Sequence, residues 1–436
     1  MTIAAIIADM KRGRTSALAQ VDAALARISK RNPDLNAFVA IDEAGARAAA
    51  ERVDRRLAAG EQLPLAGVPV AMKDTIWVAG SRVTQGSRLF ADFHAPTDAI
   101  VVERLKGAGA VIVGMTNTSE FACKGMTTNL LYGPTRHPMD PSLTPGGSSG
   151  GPVVAVAAGF VPLAIGTDAG GSSRRPPAHV GVVGFKPSFG AIPDGPGFPE
   201  PVVGIQSICP ITATVEDAAL AFEALVGPDP RDPDSVGIEP ADRAKPTTLR
   251  VAYSPRFGLR TPVDADVASA VDRAIDRLAS AGVEITTQDP VWPAASTESA
   301  LMPLQHAGLA ALYGEQFKRD RTVFDPDIAV QIESGFGMTG VEVAAALILS
   351  ADIARAVAKF FERFDLLIGP TTPCVAWSID HLGPEMIGGV PVPSRGHAVF
   401  TPLFNHARVP AISIPCGPGR SGLPIGLQVV AARGHD

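Results

Sequence analysis

The stretch Leu65-Ala66-Gly67-Val68-Pro69-Val70-Ala71-Met72, followed by Ala99 to Ala108 and then by Val111-Ile112-Val113-Gly114, decides the fold. The first run is apolar along nearly its whole length and reads as a buried strand. The second reads as a helix, and the third as another strand, with no hairpin turn between them. Strand, helix and strand at this spacing make a crossover unit, which parallel neighbours require. The expected fold is α/β, a single domain built on a central mixed sheet surrounded by helices.

Working outward toward the N-terminus, apolar residues from Ser16 to Ala59 recur at helical spacing: Leu18, Val21, Ala24, Leu25 and Ile28, then Ala46, Ala49, Ala50, Val53 and Leu57. This predicts two amphipathic helices, broken at Asn32-Pro33. Toward the C-terminus, residues 125 to 151 lose periodicity and fill with Gly133-Pro134, His137-Pro138, Asp140-Pro141 and Pro145-Gly146-Gly147. So long an irregular segment inside a compact protein is more often functional than accidental. An apolar helix resumes from Pro152 to Ala158, since proline is tolerated in a first turn. Val161 to Ile165 follows, and then a second glycine cluster. Residues 227 to 247 are rich in Pro and Asp and read as a surface loop. Strand-like segments at Leu249 to Tyr253, Leu366 to Gly369, Ile412 to Ile414 and Ile425 to Val430 are expected to complete the sheet.

Composition narrows the class. The chain has 436 residues, with 38 Lys and Arg against 44 Asp and Glu, a net charge of −6 that excludes a broad nucleic-acid surface. At 46% hydrophobic and 19% charged, with 44 Gly and 39 Pro, it is a folding composition with many turns. Cys123, Cys209, Cys374 and Cys416 are widely separated and form no C-x-x-C pair, which fits a reduced, cytoplasmic setting. Lys11, Arg12 and Arg14 follow the short apolar start, the reverse of a secretory signal. No run is long enough to span a bilayer, and no zinc or P-loop motif is present, so neither membrane nor metal is implied.

Chemistry concentrates in three places: Val70-Ala71-Met72-Lys73-Asp74; Gly146-Gly147-Ser148-Ser149-Gly150-Gly151; and Gly166-Thr167-Asp168-Ala169-Gly170-Gly171-Ser172-Ser173-Arg174. Singly, each has a bland reading as a solvated strand end or a turn. Together they offer a lysine that burial would make neutral, two hydroxyls and exposed backbone N–H groups, which are the parts of a serine nucleophile with its base and oxyanion hole.

These blocks resemble the amidase signature family. Ser148 follows Lys73 by 75 residues and Ser172 follows Ser148 by 24, as in the family. Further echoes are Thr116-Asn117 with Glu120-Phe121-Ala122, Gly133-Pro134-Thr135-Arg136, Gly181 to Pro187, Asn405, Pro410-Ala411 and Gly422 to Gln428. The likeness is dense from about residue 15 to 225, thin to about 360, and returns to the end. It implies a helical arm (1–60), a catalytic signature core (61–225), a variable region shaping the substrate entrance (226–350) and a sheet-completing part (351–436). Relatives usually continue past the last strand with a further helix.

Residue by residue, the resemblance implies Ser172 as nucleophile, Ser148 as proton relay in a cis peptide with Gly147, and Lys73 as base. The N–H groups of Ala169, Gly170, Gly171 and Ser172 would form the oxyanion hole, with Ser149, Asp168 and Arg174 in support. Met126, Leu130, Leu131, Tyr132 and Met139 are candidate walls of an apolar acyl pocket. Arg175 stands where the family usually has an apolar residue. It offers a carboxylate a bidentate partner, although a surface or intramolecular ion pair is the expected use. His137, Met139 and Pro177-Ala178-His179-Val180 depart from the family pattern too.

The implied activity is hydrolysis of C–N amide bonds in small or medium-sized carboxamides through an acyl-enzyme, extending to carbamates (urethanes) and aryl esters. No cofactor is called for. The partners are a small amide and water, without nucleic acid or membrane, and a homodimer is open to it. Two alternatives stand beside it. One is the glutaminase subunit of a tRNA-dependent amidotransferase, which the same family contains. The other is an α/β-hydrolase esterase on Gly146-x-Ser148-x-Gly150, with His306, His397 or His406 as base; that elbow needs an entering strand, and Pro138 to Pro145 is proline-broken.

Overall fold

The computed structural model describes residues 2–237 and 249–436. The part of the Pro- and Asp-rich stretch from 238 to 247 lies outside these residues. Helices α1 (Ile3–Lys11) and α2 (Ala17–Leu35) come first, followed by β1 (Phe38–Ile41) and α3 (Glu43–Ala58). Ser16 caps α2 by accepting from the Ala19 N–H, and Val21, Ala24, Leu25 and Ile28 form its buried stripe. The break expected at Asn32-Pro33 falls later. Pro33 is inside the last turn of α2, and the helix ends where Asn36 turns left-handed, at φ 49°. Asn32 serves the exit, its side chain accepting from the N–H groups of Ala37 and Phe38 as the chain enters β1.

The crossover unit comprises β2 (Pro69–Lys73), α4 (Ile100–Gly107) and β3 (Val111–Thr116). After it come α5 (Gly150–Ala157), β4 (Leu163–Asp168), α6 (Arg175–Val180), β5 (Val183–Lys186), β6 (Ser207–Thr212) and α7 (Val215–Leu225). Next are β7 (Val251–Tyr253), α8 (Ala265–Ser280), β8 (Ile285–Thr287), α9 (Glu298–Arg319), α10 (Pro326–Phe336), α11 (Gly340–Phe361) and β9 (Leu366–Pro370). The chain closes with a small hairpin, β10 (Met386–Ile387) and β11 (Val390–Pro391), then α12 (Pro402–His406), β12 (Ala411–Pro418) and β13 (Pro424–Ala431).

Eleven strands form one mixed sheet in the order β1-β3-β2-β4-β6-β5-β12-β13-β9-β7-β8. β3, β2 and β4 run parallel, as do β9, β7 and β8, while the strands between them pair antiparallel. The last strands therefore join the first half of the sheet to the second, through β12 against β5. On one face of the first half, Val153, Val154 and Phe160 pack with Val21, Ile28 and Val53 from α2 and α3. On the other, Val70, Met72 and Ile165 pack with Val101, Val102, Leu105 and Leu225 from α4 and α7. Burying each such side chain contributes about 1.5–3 kcal/mol.

Two consequences position the site. Because β2 and β4 are parallel neighbours with Met72 opposite Ile165, Lys73 and Asp168 end up on the same edge of the sheet. Ligands characteristically bind outside the carboxyl ends of parallel strands. Residues 124–149 hold neither helix nor strand, yet they are anchored. Thr127 Oγ1 donates to the carbonyls of Gly146 (3.0 Å) and Ser148 (3.2 Å) and accepts from the Gly150 N–H (2.8 Å), so the loop clamps the first glycine block.

Candidate active site

Lys73 is the last residue of β2 and is fully buried. Its Nζ donates to Ser148 Oγ at 2.8 Å and to Thr167 Oγ1 at 2.9 Å. Ser148 Oγ in turn donates to Ser172 Oγ at 3.1 Å. Three groups far apart in the chain thus make one hydrogen-bonded line, and the Gly147–Ser148 peptide is cis. Burial lowers the lysine pKa to about 7, against the opposing pull of the Asp168 carboxylate. At neutral pH a substantial fraction of the amine is therefore uncharged and able to accept a proton. Thr167 is a contact that sequence reasoning misses. The one signal for it is its place in the second glycine block, one residue before the acid.

The glycines of this region are required by close approach. A Cβ on Gly147 would lie 2.5 Å from the Met126 carbonyl carbon. Gly171 has φ +114°, and a Cβ there would run into Thr401 Oγ1. Gly170 differs, because a Cβ built on it meets no atom within 4 Å.

The turn after β4 is held by a buried network. Asp168 accepts from the N–H groups of Gly171 (2.6 Å) and Ser173 (3.1 Å), and from Arg174 Nε (3.0 Å) and Nη2 (2.9 Å). Asn405 Nδ2 donates to Asp168 Oδ1 at 2.8 Å and to its carbonyl at 2.9 Å. Burial works to raise the Asp168 pKa, but the Arg174 charge and these bonds hold the carboxyl well below the usual carboxylate range. Ser149 Oγ donates to the Thr167 carbonyl at 3.2 Å, tying the first glycine block to β4.

This network revises the expected oxyanion hole. The Gly171 N–H points at Asp168 and is occupied there, so it is not free for a substrate oxygen. Among the described residues the N–H groups of Ala169, Gly170 and Ser172 have no acceptor, leaving three available amides rather than four.

A cavity of about 60 Å³ opens beside these amides, lined by Ala169, Gly170, Ser172, Arg175, Glu298 and Arg395 among others. Of the side chains expected to wall an acyl pocket, only Arg175 lines it. Met126 packs with Cys374, Trp377 and Ile387. Leu130 and Met139 are exposed, Leu131 is half-buried, and Tyr132 lies under the Arg82 guanidinium at 5.7 Å. The long loop spends its apolar side chains elsewhere, so the wall is built by Leu301, Met302 and Gln305 of α9 with Arg395. These residues lie in the thin part of the resemblance and carry no motif.

Arg175 is neither on the surface nor in an ion pair, contrary to the expected use. It is 4% exposed, and its Nε and Nη1 have no hydrogen-bond partner among the described residues. The esterase alternative also lacks support: no strand enters the Ser148 turn. His306 and His406 are bonded to the hydroxyls of Ser334 and Ser350 rather than to either site serine. No group of three or more His, Cys, Asp or Glu among the described residues is placed to hold a metal ion. The four cysteines are free and buried. No helix among the described residues is long and apolar enough to cross a membrane.

Comparison with known proteins places this geometry. A sequence-family profile described as Amidase matches residues 19–436. The chain belongs to the amidase signature family. Among its relatives, one of the subunits of the glutamyl-tRNA(Gln) amidotransferase of Azoarcus sp. (strain BH72) is 36% identical over 439 residues, covering 93% of this chain and 89% of that one. A bacterial aryl acylamidase of the amidase signature family superposes with TM-score 0.90 at 28% identity, over 100% of this chain and 93% of that one. A protein solved as part of a vestigial complex, in work on the origins of an s-triazine catabolic enzyme, gives TM-score 0.89 at 33% identity, over 99% of this chain and 95% of that one. The eleven-stranded mixed sheet is thus the amidase signature fold, and the chain is a hydrolase of that family.

Proposed function

We propose that this chain cleaves the C–N bond of small amides through an acyl-enzyme on Ser172, with Ser148 as relay and Lys73 as base. The observation carrying this reading is the buried line from Lys73 Nζ to Ser148 Oγ (2.8 Å) to Ser172 Oγ (3.1 Å), ending at a lysine poised near pH 7. Neutral Lys73 accepts the Ser148 proton while Ser148 accepts that of Ser172, whose oxygen attacks the carbonyl. The developing oxyanion lies toward the free amides of Ala169, Gly170 and Ser172, each worth roughly 3 kcal/mol of transition-state stabilisation by analogy with measured oxyanion donors. The proton returns by the same path to the departing amine, and water then repeats the cycle on the ester to release the acid.

The machinery acts on an acyl carbon whatever its leaving group, so carbamates and aryl esters are secondary substrates on this reading. The test is a panel of anilides, short aliphatic amides, carbamates and aryl esters, with wild type and Ser172→Ala compared and the trapped adduct located by mass spectrometry. An acyl group on Ser172 and an inert alanine variant are expected. Turnover that survives in Ser172→Ala rejects the assignment.

A second reading, a glutaminase subunit of a tRNA-dependent amidotransferase, draws on the Azoarcus relative and its 93% coverage of this chain. Amide hydrolysis by the purified chain without tRNA, ATP or a second subunit favours the free-standing enzyme. Glutamine turnover that appears only with partner subunits favours the other.

A further inference from the structure

The cavity of about 60 Å³ beside Ser172 continues outward. Cys123, Lys124, Met302 and Arg395 line both it and a second space of about 210 Å³, whose walls include Val330, Leu382 and His397. Val330 and Leu382 are exposed, so this arm opens to solvent at their end. Its inner end lies on the side of the relay serine. A Cβ built on Gly125 would run into Nε2 and Cε1 of the His397 ring, and a Cβ on Gly147 would run into the backbone of the next residue, Met126. One line of close contacts thus leads from His397 to the residue before Ser148.

His397 is 2% exposed, and its Nδ1 is buried without a partner. Its Nε2 makes no hydrogen bond among the described residues either. The ring is held against Trp377, at 4.6 Å between centroids, and Trp377 is anchored by its Nε1 donating to the His381 carbonyl at 2.9 Å. Burial disfavours the charged imidazole, and so do Arg175, Arg395 and His179, the titratable groups that bear on it, so the ring is neutral at neutral pH. A neutral imidazole has one donor and one acceptor, and leaving both unmet when buried is costly. The charges bordering the arm are already matched. Lys124 Nζ lies 2.6 Å from Asp325 and 3.6 Å from Asp327, and Arg395 Nε donates to Glu298 at 2.9 Å.

Resting on the amide-hydrolase reading, we infer that this arm receives the leaving amine and that His397 selects it, making the preferred substrates anilides whose ring carries an uncharged hydroxyl. Ser148 hands the proton to the departing nitrogen, so the amine leaves on the side of Ser148, where the arm begins. An apolar cavity of about 150 Å³ holds benzene, so about 210 Å³ holds one ring with a substituent. Met302, Val330 and Leu382 suit an apolar ring face, and the unmet nitrogens of His397 suit a group that both donates and accepts. With no unpaired charge at the arm, an ionic substituent gains nothing there. The reaction balances without another reagent. The C–N bond breaks as the Ser172 ester forms, and the aniline nitrogen takes the proton relayed by Ser148. Water then cleaves the ester, releasing the acid and restoring the serine.

The test compares acetamide, acetanilide and its 3- and 4-hydroxy derivatives as substrates, with aniline and the hydroxyanilines as inhibitors free of any difference in amide reactivity. For wild type, kcat/KM on the better hydroxyanilide should exceed that on acetanilide by roughly three- to tenfold, mostly through KM, and the matching hydroxyaniline should bind more tightly than aniline by a similar factor. His397→Leu should erase both differences, and His397→Gln, which keeps a donor and an acceptor, should restore part of them. Val330→Trp fills the arm from an exposed position and should lower the ratio of anilide to acetamide turnover by roughly tenfold or more. Plain and hydroxylated rings treated alike by wild type, or a ratio untouched by Val330→Trp, overturn the inference while leaving amide hydrolysis standing. Anilines that bind wild type but not Val330→Trp, with no amide in the series hydrolysed, uphold the arm and reject the hydrolase reading instead. Should His397→Leu not fold, the wild-type pairs and Val330→Trp decide alone.

Discussion

Arg174 and Arg175 are consecutive, equally charged and both buried, yet the fold treats them oppositely. Arg174 is saturated: Nε and Nη2 meet both oxygens of Asp168, Nη1 donates to Gln428 Oε1 at 2.8 Å and to the Thr401 carbonyl at 3.1 Å, and Nη2 also reaches Asn405. Arg175 points the other way, into the cavity, with two nitrogens unbonded. A buried cation whose donors are all matched holds a turn in one conformation, whereas one left unmatched is available to an anion. The first braces the amides beside Ser172, and the second faces the space a substrate would fill.

The largest expected effect isolates the chemistry from both arginines. Ser172→Ala should leave the denaturation midpoint near that of wild type and lower kcat by about 10⁵- to 10⁶-fold, as removing a nucleophile does in other serine hydrolases. A stability loss equal to that of a brace variant would mean that the nucleophile and the network are not separable.

Lys73→Ala comes next, with a fall of about 10²- to 10⁴-fold, the usual range for a positioned general base. The pH profile reads the same group. On the proposed mechanism the neutral amine is the active form, and its folded pKa is lowered to about 7, so the rate should climb roughly tenfold per pH unit below 7 and level off above it. Stability responds in the same direction. Between about pH 7 and 10.5 the unfolded chain binds more protons at this lysine than the folded one, so its contribution rises with pH across that window. A flat rate profile from pH 5 to 8 in the intact enzyme would count against Lys73 as base.

The two arginines are then set directly against each other. Arg174→Met leaves the buried Asp168 carboxylate without its cation, and should cost about 3–5 kcal/mol in chemical denaturation. Arg175→Met removes a buried charge that has no hydrogen-bond partner, and should change stability by less than about 1 kcal/mol or raise it. Equal losses for the two would break the comparison and give Arg175 a structural partner. The smallest effect belongs to Gly170. Gly170→Ala should fold with stability within about 0.5 kcal/mol of wild type, because the added methyl meets no neighbouring atom, and show its defect in KM, since the residue lines the cavity. Gly171→Ala meets both a left-handed φ and Thr401, and should lose measurably more.

The glycine blocks and Lys73 are legible because their marks are local. Glycine where no Cβ fits, paired serines and a lysine closing an apolar strand can be recognised without neighbours, and so can the crossover unit that makes β2 and β3 parallel. Helix α2 shows the limit of local rules, since Asn32-Pro33 reads as a break while the helix continues to Leu35 and Asn36 ends it. Strand β1 escapes a reading of periodicity because four residues between two helices give too short an alternation to register. The pocket is misplaced for a different reason. Loop side chains such as Met126 and Tyr132 are near Ser148 in the chain but face other neighbours, while Glu298 and Arg395 arrive from distant segments.

By itself, then, the sequence determined that a lysine sits at the end of one strand and paired serines sit on two glycine turns. It also carried Asn405 and Gln428 as motif echoes without saying what they were for. Tertiary structure decided their use, bringing them 231 and 254 residues along the chain to Arg174 and leaving Arg175 with nothing comparable. The physical reason is that hydrogen-bond satisfaction of a buried charge depends on which remote elements the sheet closes around it, and two adjacent guanidiniums carry no local mark of which one will be matched.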